Sequence, residues 1–143
     1  MKWLWLVPVA VCLAADVQQE VMDLFTDLAA SLSANDAQGF LAPFDPNMPG
    51  YAKLRDEIAG LTRAGEIQSS VEVVKNEGDA THRTVEVDWR LRVRHNVSAT
   101  ASTPREQHLV FKLEKRGRKW KILSLDHLEY FALDVGQPSR PPA

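Results

Sequence analysis

The hydrophobic rhythm of this chain changes once, near Gly65, and that change limits the folds open to it. Before Gly65 apolar residues recur every three to four positions. Val17, Val21, Leu24, Phe25, Leu28 and Leu32 make one stripe of an α-helix. Asp16 stands where an N-cap belongs, with Gln19 three residues on. Burying six such side chains contributes about 9–18 kcal/mol gross, so this helix needs a large apolar partner. Asp36 caps a second, short helix around Phe40, Leu41 and Phe44, and Pro43, Pro46 and Pro49 confine it. Leu54, Ile58 and Leu61 share one face of a third helix over 51–64, which Gly65 closes.

After Gly65 the period is two. Ile67, Ser69, Val71 and Val73 alternate with polar residues, and Asn76-Glu77-Gly78-Asp79 reads as a turn. Val85, Val87, Trp89, Leu91 and Val93 form a second strand, and Leu109, Phe111 and Leu113 a third. Trp120, Ile122 and Ser124 open a fourth after a turn at Arg116-Gly117. That turn pairs Leu113 with Trp120, Phe111 with Ile122, Leu109 with Ser124 and Gln107 with Asp126 on the inner face. It also sets Lys112 against Lys121 on the outer face, which calls for an acid such as Glu86 or Asp88 nearby. The expected fold is α+β, with N-terminal helices packed in a strongly curved four-stranded antiparallel sheet.

The first residues point to export. Lys2 precedes an uncharged, largely apolar stretch from Trp3 to Leu13, then Ala14-Ala15. A base, a short apolar run and small residues at its end describe a secretory signal; a membrane span needs roughly 20 apolar residues. The expected organisation is a signal peptide over 1–15, one domain over 16–135 and a disordered Pro-rich tail over 136–143. Cys12, the only cysteine, would leave with the signal, so the mature chain would form no disulfide and hold no thiol nucleophile. The expected location is periplasmic or extracellular, with membrane contact only in passing.

Charge is unevenly spread along a chain whose net charge is −2. Acids dominate residues 16–60 and bases dominate 105–121. The basic segment reads as a solvated strand pair, and export removes most nucleic-acid partners, so none is expected. His82, His95, His108 and His127 are scattered without a zinc spacing, and no glycine-rich phosphate loop occurs. Neither metal nor cofactor is expected. Asn96-Val97-Ser98 is a glycosylation triplet of a kind that arises by chance.

Leu24-Phe25, the run Asn35-Asp36-Ala37-Gln38-Gly39-Phe40-Leu41-Ala42-Pro43-Phe44-Asp45-Pro46, and the ending Lys119-Trp120-Lys121-Ile122 with Ser124 carry a likeness. Together they resemble the nuclear-transport-factor-2-like (SnoaL-like) superfamily, with a cystatin-like sheet around one helix as the alternative. The resemblance implies a cone between helices and sheet. Some relatives, such as ketosteroid isomerase, scytalone dehydratase and limonene epoxide hydrolase, do chemistry there, and others only bind. Phe25 stands on the inner face of the first helix where the isomerase would need a tyrosine.

Tyr51, Trp89, Gln107, Phe111, Trp120, Ser124 and Asp126 are the expected lining of that cone. Asp126, among apolar neighbours, is the candidate proton carrier, since desolvation would raise its pKa. Too few polar groups face inward for an evident reaction. The leading expectation is a non-catalytic exported binding module for a small apolar ligand or a protein partner. A lyase or isomerase using Asp126, and an interaction domain acting through its outer sheet, are the alternatives. Monomer and homodimer are equally expected.

Overall fold

A computed structural model of the chain describes residues 6–95 and 104–132, with side chains from Asp16 onward except His95. The Asn96-Val97-Ser98 triplet and the tail over 136–143 lie outside the described residues. Three helices come first, α1 (Leu6–Ser33), α2 (Ala37–Leu41) and α3 (Tyr51–Ala64). Four strands follow, β1 (Gly65–Gly78), β2 (His82–His95), β3 (Arg105–Arg116) and β4 (Lys119–Leu125), and a 3₁₀ turn spans Leu128–Phe131. The strands form one antiparallel sheet in sequence order. α1 starts at Leu6 and passes through Asp16 without a break, so Asp16 is an interior helical residue rather than its N-cap. Among the described residues no helix is long and apolar enough to cross a membrane.

Most of the expected helical stripe is buried: Val17, Val21, Phe25, Leu28 and Leu32 join the core, while Leu24 is half-buried at its edge. α1 ends where Asn35 takes a left-handed conformation (φ 58°), and the Asn35 amide donates to the carbonyls of Thr62 and Gly65, tying that corner to the end of α3. Asp36 then caps α2, its carboxylate accepting from the Gly39 N–H at 2.9 Å. After α2, Pro43–Asp45 runs along the free edge of β4. Ile122 donates to the Pro43 carbonyl at 2.8 Å and accepts from the Asp45 N–H at 2.9 Å. This strap covers part of an edge that would otherwise be open to foreign strands.

The sheet departs from the expected pairing at three places. β1 runs on through Asn76 to Gly78, with a bulge at Val73–Lys75, and the turn falls at Asp79–Thr81. Asp79 makes that turn by accepting from the N–H groups of Thr81 and His82. The loop between β3 and β4 is Gly117-Arg118, not Arg116-Gly117, and Arg116 pairs with Lys119. Its first position needs positive φ, which Gly117 supplies at 65°. The result is a two-residue slip. Leu113 now faces Ile122 and Glu114 faces Lys121, so the expected clash of Lys112 with Lys121 does not arise. A slip of two preserves faces, and Trp89, Phe111 and Trp120 all point inward, 0%, 0% and 6% exposed.

The third departure is a bulge between Ile122 and Ser124 that leaves Leu123 without an opposite number. One extra residue reverses the alternation beyond it. Leu125 turns inward opposite Phe111, and Ser124 falls opposite Lys112 on the outer face.

Candidate functional site

Six aromatic side chains pack against one another in the interior of the cone. Phe25 of α1 meets Phe111 edge-on at 4.9 Å between ring centres. Phe40 of α2 packs on Phe44 and Phe131, each at 5.3 Å, and on Trp89 at 6.1 Å. Trp89 in turn lies 5.2 Å from Phe131 and 6.2 Å from Phe111. All six rings are at most 1% exposed. The polar atoms among them are spent. The Trp89 Nε1–H donates to the Ser69 hydroxyl at 2.9 Å, and the Tyr130 hydroxyl donates to the Trp89 carbonyl at 2.7 Å. Burial pushes the Tyr130 phenol well above its ordinary range.

The seven residues expected to line a pocket therefore divide. Trp89 and Phe111 are packed core. Tyr51 opens α3 half-buried against that core. Gln107 faces inward opposite Trp89, half-buried, and its amide donates to the His108 carbonyl at 3.3 Å. Ser124 and Asp126 are not on the inner face, because the bulge turns them outward. Asp126 is exposed at the surface. Its carboxylate accepts from the Val110 N–H at 2.8 Å and sits 3.2 Å from His127 Nδ1, closing the last rung of the β3–β4 ladder.

Trp120 leads to a concavity. The groove holds about 410 Å³ and lies between α1 and the β3–β4 hairpin, outside the cone. Glu20, Asp23 and Asp27 form one wall, a stripe of α1 beside its buried face. Arg118, Lys119 and Lys121 form the other, and Leu24, Ala42, Pro43 and Trp120 complete the lining. The volume falls within the usual range for small-molecule sites, about 300–1,000 Å³. Glu20 joins the walls: its Oε1 accepts from Trp120 Nε1 at 2.9 Å and from Lys115 Nζ at 3.0 Å. Those two hydrogen bonds, Trp120's first, hold the Glu20 carboxyl below its ordinary range. Lys115 also lies over the Trp120 ring, 5.8 Å from its centre. The acid-rich and base-rich stretches legible in the sequence are thus the two sides of one groove.

A second concavity of about 320 Å³ lies over β1 and β2, lined by Gln68, Ser69, Ser70, Arg90, Leu91, Arg92 and Pro104. On the outer sheet face His108 is bracketed by two acids, with Nδ1 2.9 Å from Asp88 and Nε2 2.9 Å from Glu86. Both nitrogens must donate to satisfy both carboxylates, and these bonds, Asp88's first, raise the His108 pKa. Arg116 similarly joins Asp45 of the strap to Glu114, each at 2.9 Å. The outer face is therefore laced with ion pairs and is not an apolar patch. Among the described residues no group of three metal-ligating side chains converges.

One titratable group escaped the reading of the sequence. Glu57 lies on α3 between Leu54 and Ile58, and its Oε1 is buried with no hydrogen-bond partner. Burial raises its pKa, Lys53 opposes the shift, and Glu129 of the 3₁₀ turn adds to it. Its spacing from Leu54, Ile58 and Leu61 was the available signal.

No family model matches the chain, and no curated protein matches it. Solved structures do. An NTF2-like superfamily protein from Salmonella enterica aligns with a TM-score of 0.65 at 11% identity, over 78% of this chain and 89% of its own. A scytalone dehydratase-like protein from Novosphingobium aromaticivorans aligns at 0.67 and 10% identity, over 80% and 85%. A Nostoc punctiforme protein with a cystatin-like fold aligns at 0.58 and 15% identity, over 76% and 86%. The chain has the NTF2-like α+β fold.

Proposed function

We propose that this chain, built on the NTF2-like fold, is a non-catalytic exported module that binds its partner or ligand in the groove between α1 and β4. One observation carries the reading. Six aromatic rings pack together, almost fully buried, between helices and sheet, whereas the groove outside has ligand dimensions and two walls of opposite charge. Export rests on the N-terminal pattern of Lys2, the apolar run and Ala14-Ala15. The apolar part of the lining, Leu24, Ala42, Pro43 and Trp120, offers contact area, and the charged walls offer orientation.

Native mass spectrometry of the mature protein from its own host tests both halves. The expected result is a mass lacking about 15 residues and a retained ligand or partner. That partner should be lost when Asp23→Lys and Asp27→Lys with Lys119→Glu and Lys121→Glu reverse the walls together. Retention by the reversed variant would remove the groove from the reading, and an intact N-terminus would remove export.

A carboxylate acid–base enzyme is the second reading. Glu57 favours it, because burial holds that acid toward its protonated form and nothing bonds its Oε1. It requires that Glu57→Gln abolish turnover of any substrate found, while Asp126→Asn leaves it unchanged.

A further inference from the structure

The strap shows how β4 accepts a neighbour. Ile122 turns both main-chain groups outward, to Pro43 and Asp45. Along a strand, main-chain groups two residues apart face the same edge. Trp120 therefore turns its N–H and C=O toward the groove, and among the described residues neither is taken from that side. The strap stops short of them, with Ala42 anchored by Lys121 Nζ at 3.0 Å. The groove begins where the strap ends.

We propose that the groove takes an extended segment of a partner protein, laid beside β4 as an added strand and selected by an acid–base–acid triplet centred on Trp120. This rests on the binding reading above and names the occupant. Side chains of an added strand share faces with the row they join. The residue abreast of Trp120 points inward, as Trp120 does, toward Asp23 and Asp27 of α1, so it should be a base. Glu20 is already engaged by Trp120 and Lys115, and Asp23 accepts from Gln19. Asp27 has no described partner. The residues on either side point outward and flank Lys119 and Lys121, so they should be acids. A strand supplies the main-chain donor and acceptor that Trp120 needs, which favours a polypeptide over a small zwitterion.

The probe is a blocked heptapeptide, Thr-Val-Glu-Lys-Glu-Val-Thr, titrated into the mature protein at low salt by calorimetry, with the Trp120 amide followed by NMR. Its charge-inverted form, Thr-Val-Lys-Glu-Lys-Val-Thr, should bind roughly threefold to tenfold more weakly. N-methylation of the central lysine blocks an antiparallel strand. N-methylation of the glutamate after it blocks a parallel one, by analogy with Asp45 on Ile122. One of the two should abolish binding and the Trp120 shift. Asp23→Lys and Asp27→Lys with Lys119→Glu and Lys121→Glu, the fold checked by circular dichroism, should reverse the preference between the peptides. Equal binding of the two peptides, indifference to both methylations, or no binding at millimolar peptide overturns the added strand. A retained native ligand lost on wall reversal would then leave the binding reading standing; retention on reversal would end both.

Discussion

At residue scale the informative positions are two acids, Asp126 and Glu57, whose roles exchange between sequence and structure. Asp126 looked inward-facing because strict alternation was carried from Trp120 to the end of β4. The extra residue at Leu123 breaks that count, and nothing in Ile122-Leu123-Ser124 announces it. Glu57 looked like one more polar residue on an amphipathic helix, yet its Oε1 is sealed between α3 and the 3₁₀ turn. Its raised pKa has a stability consequence whose sign is fixed. The folded state holds the Glu57 proton more tightly than the unfolded chain does, so stability falls as pH rises from about 4.3, the ordinary glutamate value. Above the raised pKa the loss is complete. Glu57→Gln removes the ionisation and should stabilise the protein at pH 7, with no gain at pH 3. Urea unfolding at the two pH values reads this directly; a destabilised variant at pH 7 would mean that the ionised carboxylate has a partner.

At element scale the helices and the inward faces were legible, because each rests on one uninterrupted period. Leu54, Ile58 and Leu61 are fully buried on α3, and Val85, Val87, Trp89, Leu91 and Val93 on β2 are at most 2% exposed. Strand ends and the β3–β4 loop were not legible. They are set by single residues, Gly117 at positive φ and Asp79 folding back on Thr81 and His82. Gly117 allows a clean test, since a Cβ built there meets nothing within 4 Å. The cost of Gly117→Ala is therefore conformational alone, about 1–2 kcal/mol for a left-handed L-residue. Chemical denaturation should show that loss with an unchanged slope. A neutral substitution would argue against the positive φ at Gly117.

At the scale of the whole molecule, the sequence displayed an acidic first half and a basic hairpin but not their meeting. That needs α1 to lie across β4, joining Glu20 to Lys115 and Trp120 some 95 and 100 residues later. The same packing brings Phe25, Phe40 and Phe44 down onto Trp89 and Phe111. Phe40 is central to that filling, in contact with Phe44, Trp89 and Phe131. Phe40→Ala should cost about 3–5 kcal/mol, part of it the cavity left behind. An apolar cavity of that kind stays dry and takes up benzene, so benzene should raise the melting temperature of Phe40→Ala and leave that of the parent protein unchanged. Phe40→Leu, with a smaller void, should melt between the two and respond less. A parent protein that itself melts higher in benzene would hold free space among these rings, and the proposed binding site would then move from the groove back into the cone.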